Sequence, residues 1–191
     1  MQLNKLEDTS HLLLRPGMLF QDTAQWWRAQ DQQSPSHLRP HPHEGLDIYQ
    51  LQNRDRAIIP VWPTMLIPAM LTGDLVYFHR DFLGETLYIR HPDRRQGKTV
   101  FHTIYGHVCP AMILRRGPCR VHKGQLMATI SATPEAVSVP AHLHLSCAWI
   151  DEDQEIDELT WEKMAVNSKV IFIDPLPFLL SEQTINLSGS L

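Results

Sequence analysis

His142-Leu143-His144-Leu145-Ser146-Cys147-Ala148-Trp149-Ile150 alternates in a way that decides how the chain is read. A β-strand turns successive side chains to opposite faces, so His142, His144 and Ser146 share one face, and Leu143, Leu145, Cys147 and Trp149 share the other. One face predicts a core and the other a polar site. Two histidines at i and i+2 on a strand aim both imidazoles into one pocket while the opposite face anchors the backbone, which is the rigidity a metal site needs. His43 and Asp47, four apart, would share a face of a strand, and of a helix too.

The surrounding sequence has the same texture. Asp74 to His79, Glu85 to His91, Thr99 to Val108, Gln125 to Ile130 and Lys169 to Asp174 are runs of strand length, separated by Gly, Pro or charged turns. They predict a mainly β fold, an antiparallel sheet or sandwich with short peripheral helices on the N-terminal and C-terminal sides. One helix is expected over Gln21 to Gln30, where Asp22-Thr-Ala-Gln25 resembles a capping box and the Trp26-Trp27 pair packs on the main body. Another is expected between Asp151 and Asn167, around Leu159, Trp161, Met164 and Ala165. The Pro, Ser, His and Gln rich stretch from Gln32 to Pro42 reads as a loop. The expected division is an extension over residues 1–38, packed on a domain over 39–191.

Composition narrows the function classes. The chain has 191 residues, 43% hydrophobic, with 17 Lys plus Arg against 21 Asp plus Glu and a net charge of −4, so no uniform positive field is available for a phosphate backbone and nucleic acid is a poor partner. No run of about 18 apolar residues exists to cross a bilayer. The first ten residues lack a basic n-region, and Leu12 to Leu14 is too short for the apolar core of a secretory signal, so the chain as written is expected in the cytoplasm, or in the periplasm or outside the cell if a leader is missing. The three cysteines match no zinc-finger or redox spacing. They read as reduced thiols, with Cys109 and Cys119 able to pair in an oxidising compartment. Eleven histidines stand out, because His serves both as metal ligand and as proton carrier near neutral pH.

A single His-x-His pair means little, since about 0.6 are expected by chance at this histidine content. Order and combination carry more. His43-Glu-Gly-Leu-Asp47, Tyr105-Gly-His107, Lys123-Gly-Gln125-Leu126 and His142-Leu-His144 follow one another in a sequence that resembles the M23 family of zinc metallopeptidases, the lysostaphin and LytM type. The resemblance runs from about Arg39 to Trp149. It departs from the family before His142, where Ser131 to Ala141 replaces a glycine-rich turn, and after His144, where Leu145-Ser146 replaces Phe-Glu.

The resemblance implies a LytM-type sheet fold, one Zn(II) held by His43, Asp47 and His144, and a catalytic pair, His107 and His142, that does not bind the metal. Three ligands leave the fourth zinc position to water, and the metal lowers that water's pKa. One unligated histidine would then accept a proton and the other stabilise the developing oxyanion, with the two roles left unassigned. It further implies peptide bond hydrolysis in the cross-links of bacterial peptidoglycan. Two alternatives stand beside it: a non-hydrolytic relative that binds or activates another cell-wall hydrolase, and an intracellular zinc peptidase with a different peptide substrate. His41 reads as loop, and His37, His79, His91, His102 and His122 read as surface or sheet residues. Arg94, Arg95, Arg115, Arg116, Arg120 and Lys123 give a local positive bias that would suit an acidic peptide. Oligomeric state is not legible.

Overall fold

A computed structural model describes residues 9–27, 38–53 and 55–180 of the chain. The expected runs form antiparallel strands: β6 (Gly73–Arg80), β7 (Glu85–Gln96), β8 (Thr99–Pro110), β10 (Leu126–Ile130), β11 (Leu143–Asp151) and β12 (Val170–Ile173). Between and before them lie strands of three or four residues, β1 (Thr9–Leu12), β2 (Leu46–Ile48), β3 (Gln50–Asn53), β4 (Ile58–Pro60), β5 (Leu66–Pro68) and β9 (Cys119–Val121). The main sheet runs in the order β12-β11-β8-β7-β6-β9, with β2 added beside the start of β11, and β10 bridging the far end of β8 to β5. A small second sheet has the order β1-β3-β4. The fold is mainly β.

Period two explains how the central strands are buried on both faces. Leu87 and Ile89 of β7, Phe101 and Tyr105 of β8, and Leu145 and Cys147 of β11 enter one core with Val61, Met65, Ile67 and Met127. The intervening Tyr88, Ile104, Ala148 and Ile150 enter a second core, closed by Leu159, Met164 and Val170. The polar face expected along β11 therefore ends at Ser146, and beyond it the same face is apolar.

The helices are shorter than their sequence suggests. Gln21 is a turn residue with φ of 63°, residues 22–25 are not helical, with Ala24 bridged to Leu38, and only Trp26 and Trp27 begin a 3-10 turn; residues 28–30 lie outside the described residues. The reason is Asp22, whose Oδ2 accepts from the upstream amides of Gly17 at 2.6 Å and Leu19 at 2.9 Å instead of capping a helix ahead of it. Between Asp151 and Asn167 stand a 3-10 turn (Ile156–Glu158) and a single-turn helix α1 (Trp161–Met164), where Thr160 accepts from the amide of Lys163. Leu159 and Met164 close the second core from these short turns, so a longer helix is not needed. Residues 176–180 are helical where the described residues end. No helix among the described residues is long and apolar enough to cross a membrane. Cys109, Cys119 and Cys147 are free thiols.

His91 and His102, outside the motifs of His43, His107, His142 and His144, are buried in the sheet. Burial pushes His102 down to about 4, although its Nδ1 donates to the carbonyl of Val100 at 2.9 Å. The unfolded chain, with an ordinary imidazole near 6.5, then binds more protons between these values, so stability falls as pH drops through that window and levels off below about 4. A difference of this size corresponds to about 3 kcal/mol. His102→Gln is expected to flatten the acid limb of a denaturation series between pH 6.5 and 4 relative to the parent protein. Identical slopes would contradict the assignment.

Candidate metal centre

Edge strand β2 brings the two halves of the site together. It pairs antiparallel with the start of β11, and in that register Asp47 stands directly opposite His144, which on its other side is opposite Gly106 of β8. Two glycines of the motifs permit this approach. A Cβ on Gly45 would lie 2.3 Å from the carbonyl oxygen of Leu145 and 2.5 Å from Ser146 Oγ, and one on Gly106 would press on Trp161 at 3.1 Å and His144 at 3.3 Å. His43 precedes β2, and its Nδ1 is 2.9 Å from the carbonyl of Leu19.

Three donor atoms meet at this point. His43 Nε2 is 3.1 Å from Asp47 Oδ1 and 3.2 Å from His144 Nδ1, and His144 Nδ1 is 2.9 Å from Asp47 Oδ1. The carbonyl of Leu19 can only accept, so a proton of His43 sits on Nδ1, and in the neutral ring that a metal needs Nε2 is a bare lone pair. A single proton on His144 Nδ1 would have to serve both His43 and Asp47. A cation would satisfy all three at once, and donors about 2.0–2.1 Å from a tetrahedral zinc stand about 3.3 Å apart. Two imidazoles and one carboxylate are also the donor types zinc takes. The set fits a zinc ion, and His43, Asp47 and His144 could hold one.

The charge states agree with that use. Burial opposes ionisation of Asp47, but the facing His142, His144 and His43 overcome it and hold the carboxyl well below its ordinary range. Burial pushes His144 down to about 3 against the pull of Asp47, leaving the ring neutral, which is the ligating form. His144 Nε2 meets Ser146 Oγ at 2.9 Å. With Nδ1 free for a metal, Nε2 carries the proton and donates to that hydroxyl.

The outer oxygen of Asp47 is held from the N-terminal side. Trp26 Nε1 donates to Oδ2 at 2.8 Å and Arg39 Nη2 at 2.7 Å, while the same guanidinium donates to the carbonyls of Gly17 and Ala24. Neither residue was picked out as part of a site by the sequence, because both bonds bridge segments with no motif in common.

His107 and His142 lie beside the three donors. The His107 ring centroid is 4.8 Å from that of His142 and 5.9 Å from that of His144, and His142 Nε2 is 3.6 Å from Asp47 Oδ1. His142 Nδ1 donates to the carbonyl of Pro140 at 2.8 Å, and burial pushes this histidine down to about 4. His107 Nδ1 is 3.1 Å from Asp81 Oδ1. All five residues are buried. The solvent edge of the site is marked by Phe82, 62% exposed, whose ring stands 4.8 Å from His107. His41 and His122 are exposed, and His37 lies outside the described residues. Of the expected basic residues, Arg95, Arg115 and Arg120 are paired with Glu152, Glu85 and Asp74.

No family model matches the sequence, and no curated protein does. The structure is similar to the NMR solution structure of lysostaphin, with 18% identity and a TM-score of 0.49, over 78% of this chain and 47% of that one. The chain therefore spans about half the length of that structure.

The close approach at Gly45 generates a prediction. A methyl group there must push β2 away from β11, separating Asp47 from His144, so Gly45→Ala is expected to lower stability by about 1–3 kcal/mol and zinc affinity by about 10-fold or more. Chelator competition and thermal melting would read both; unchanged zinc affinity would show that the β2 register does not set the site.

Proposed function

We propose that the chain is a zinc-dependent endopeptidase, with His43, Asp47 and His144 as the metal ligands and His107 and His142 as the catalytic pair. The observation that carries this reading is the convergence of His43 Nε2, Asp47 Oδ1 and His144 Nδ1 within 3.2 Å of one another, beside two further imidazoles. The order of the four motifs, resembling the M23 peptidases, supplies the reaction class. It also supplies the substrate class, peptide cross-links of bacterial peptidoglycan, and on this reading the protein works outside the cytoplasmic membrane.

The chemistry supplied by a zinc ion held there is acidification of a water and polarisation of a scissile carbonyl. The remaining chemistry belongs to the protein. His107 and His142 each commit Nδ1–H to a protein acceptor, so in the neutral form of each ring Nε2 is the nitrogen that can take a proton. A water that attacks the carbonyl carbon gives its proton to such an Nε2, and the same proton then passes to the leaving nitrogen as the C–N bond breaks. Arg39 and Trp26 keep Asp47 oriented and ionised throughout, and burial keeps bulk water from the reacting groups. Phe82 offers an apolar surface at the open edge, where a substrate side chain can rest.

Ligands and proton carriers fail differently. His43→Ala and His144→Ala are expected to lose bound zinc, whereas His107→Ala keeps it and loses about 100-fold or more in turnover on purified sacculi. Zinc-loaded protein that releases no peptide from sacculi or cross-link mimics, yet binds a cell-wall amidase, would replace this reading with that of a non-hydrolytic activator. Full activity in His107→Ala would remove that residue from the mechanism.

A further inference from the structure

His107 is held in an unusual way. It lies within β8 with φ of 63°, the left-handed region, where a side chain with a Cβ is strained by about 1–2 kcal/mol. Such a conformer persists only where its surroundings impose it. A β-bulge in β8 opposite Glu85 to Leu87 and the Ser131 amide, which donates to the His107 carbonyl at 3.0 Å, set part of it; the side chain that holds His107 there is Asp81, just past the end of β6 and 26 positions away in sequence. Its Oδ2 accepts from the backbone amide of His107 at 2.9 Å and its Oδ1 from the ring Nδ1 at 3.1 Å.

Asp81 is itself fixed on both oxygens. Leu83 N donates to Oδ1 and Thr86 Oγ1 to Oδ2, each at 2.8 Å. Trp161 Nε1 donates to Thr86 Oγ1 at 3.1 Å, and an indole N–H cannot accept, so the threonine hydroxyl must point its proton at Asp81. The Trp161 ring then stands 4.5 Å from that of His144. One connected set of contacts thus runs from a candidate ligand to a candidate proton carrier. A carboxylate that only closed the turn after β6 would need Leu83 and Thr86 alone; here two more of its bonds go to a single residue across the sheet.

We infer that Asp81 is the positioning residue of His107: it clamps backbone and imidazole together, so that the strained residue keeps its proton on Nδ1 and presents Nε2 beside His142 and His144. What that Nε2 does in turnover rests on the hydrolase reading above; the clamp itself does not. With Nδ1 given to Asp81, Nε2 is the ring nitrogen left for a water or a substrate. His142 has a different support, the neutral carbonyl of Pro140, so loss of Asp81 acts on one histidine of the pair and spares the other.

The test uses the full zinc-loaded chain with Asp81→Asn and Asp81→Ala. In Asp81→Asn one of the two His107 donors must face an amide NH2, so either the ring tautomer or the backbone amide of His107 changes, and in Asp81→Ala both do. Long-range 1H–15N spectra of the imidazoles are expected to report this for His107 while His142 keeps its parent signals. Zinc affinity by chelator competition should fall by less than the roughly 10-fold typical of losing a ligand's own partner. Turnover should fall by about 100-fold or more in the parent background and not at all further in a His107→Ala background, where the positioned group is gone. Asp81→Asn folds on the same shape if Asp81→Ala does not. Parent-like His107 signals in folded Asp81→Asn, an equal loss of turnover in the His107→Ala background, or a 10- to 100-fold loss of zinc affinity would each overturn the inference. Absence of hydrolysis by the parent protein would instead sink the hydrolase reading and leave the spectra to decide on Asp81.

Discussion

A carboxylate buried to 1% exposure, Asp47, is the constraint around which the rest of this structure is arranged. An isolated buried charge costs several kcal/mol even after relaxation, so every lone pair on it must find a partner. Oδ2 is answered by the Arg39 guanidinium and the Trp26 indole, while Oδ1 faces His43 Nε2 and His144 Nδ1, where a shared cation would answer it. These partners come from the N-terminal segment, from the turn before β2 and from β11. The register of β2 on β11 and the docking of residues 17–27 on the sheet are therefore coupled through one side chain, and a change in any of them is felt at the candidate metal centre.

Much of the fold could be read from the chain because its long strands carry local signals. Alternation in His142 to Ile150 placed two histidines on one face, and the antiparallel sheet brought that face to Asp47. Two expectations failed for local reasons. Asp22 looked like a helix cap, yet upstream amides claimed its carboxylate; and the stretch after Asp151 is held by the second core through Leu159 and Met164, which two short turns present adequately. The three-residue strands β2, β4, β5 and β9 are too short for periodicity to announce.

The five motif positions of the candidate site stand out along the chain, and what surrounds them does not. Arg39, Trp26, Asp81 and Thr86 reach their partners across gaps of 5 to 26 positions, set by strand pairing rather than by spacing along the chain. No periodicity or motif encodes such bonds. The one local trace of them is conformational: His107 sits at a φ that a histidine rarely adopts, which becomes visible only with the backbone in hand. These outer groups decide tautomers. Leu19, Asp81 and Pro140 take Nδ1 of His43, His107 and His142, so in three neighbouring rings from three parts of the chain Nε2 is the nitrogen left for chemistry.

That convergence makes a sharp demand on any bound metal. A crystal of the protein grown with zinc, with diffraction recorded on both sides of the zinc absorption edge, tests it most directly. One anomalous peak per chain is expected, about 2.0–2.2 Å from His43 Nε2, Asp47 Oδ1 and His144 Nδ1, with His107 and His142 unligated. A peak coordinated by His142 or His107 in place of one of these three, or no peak at this point in crystals that bind zinc elsewhere, would contradict it.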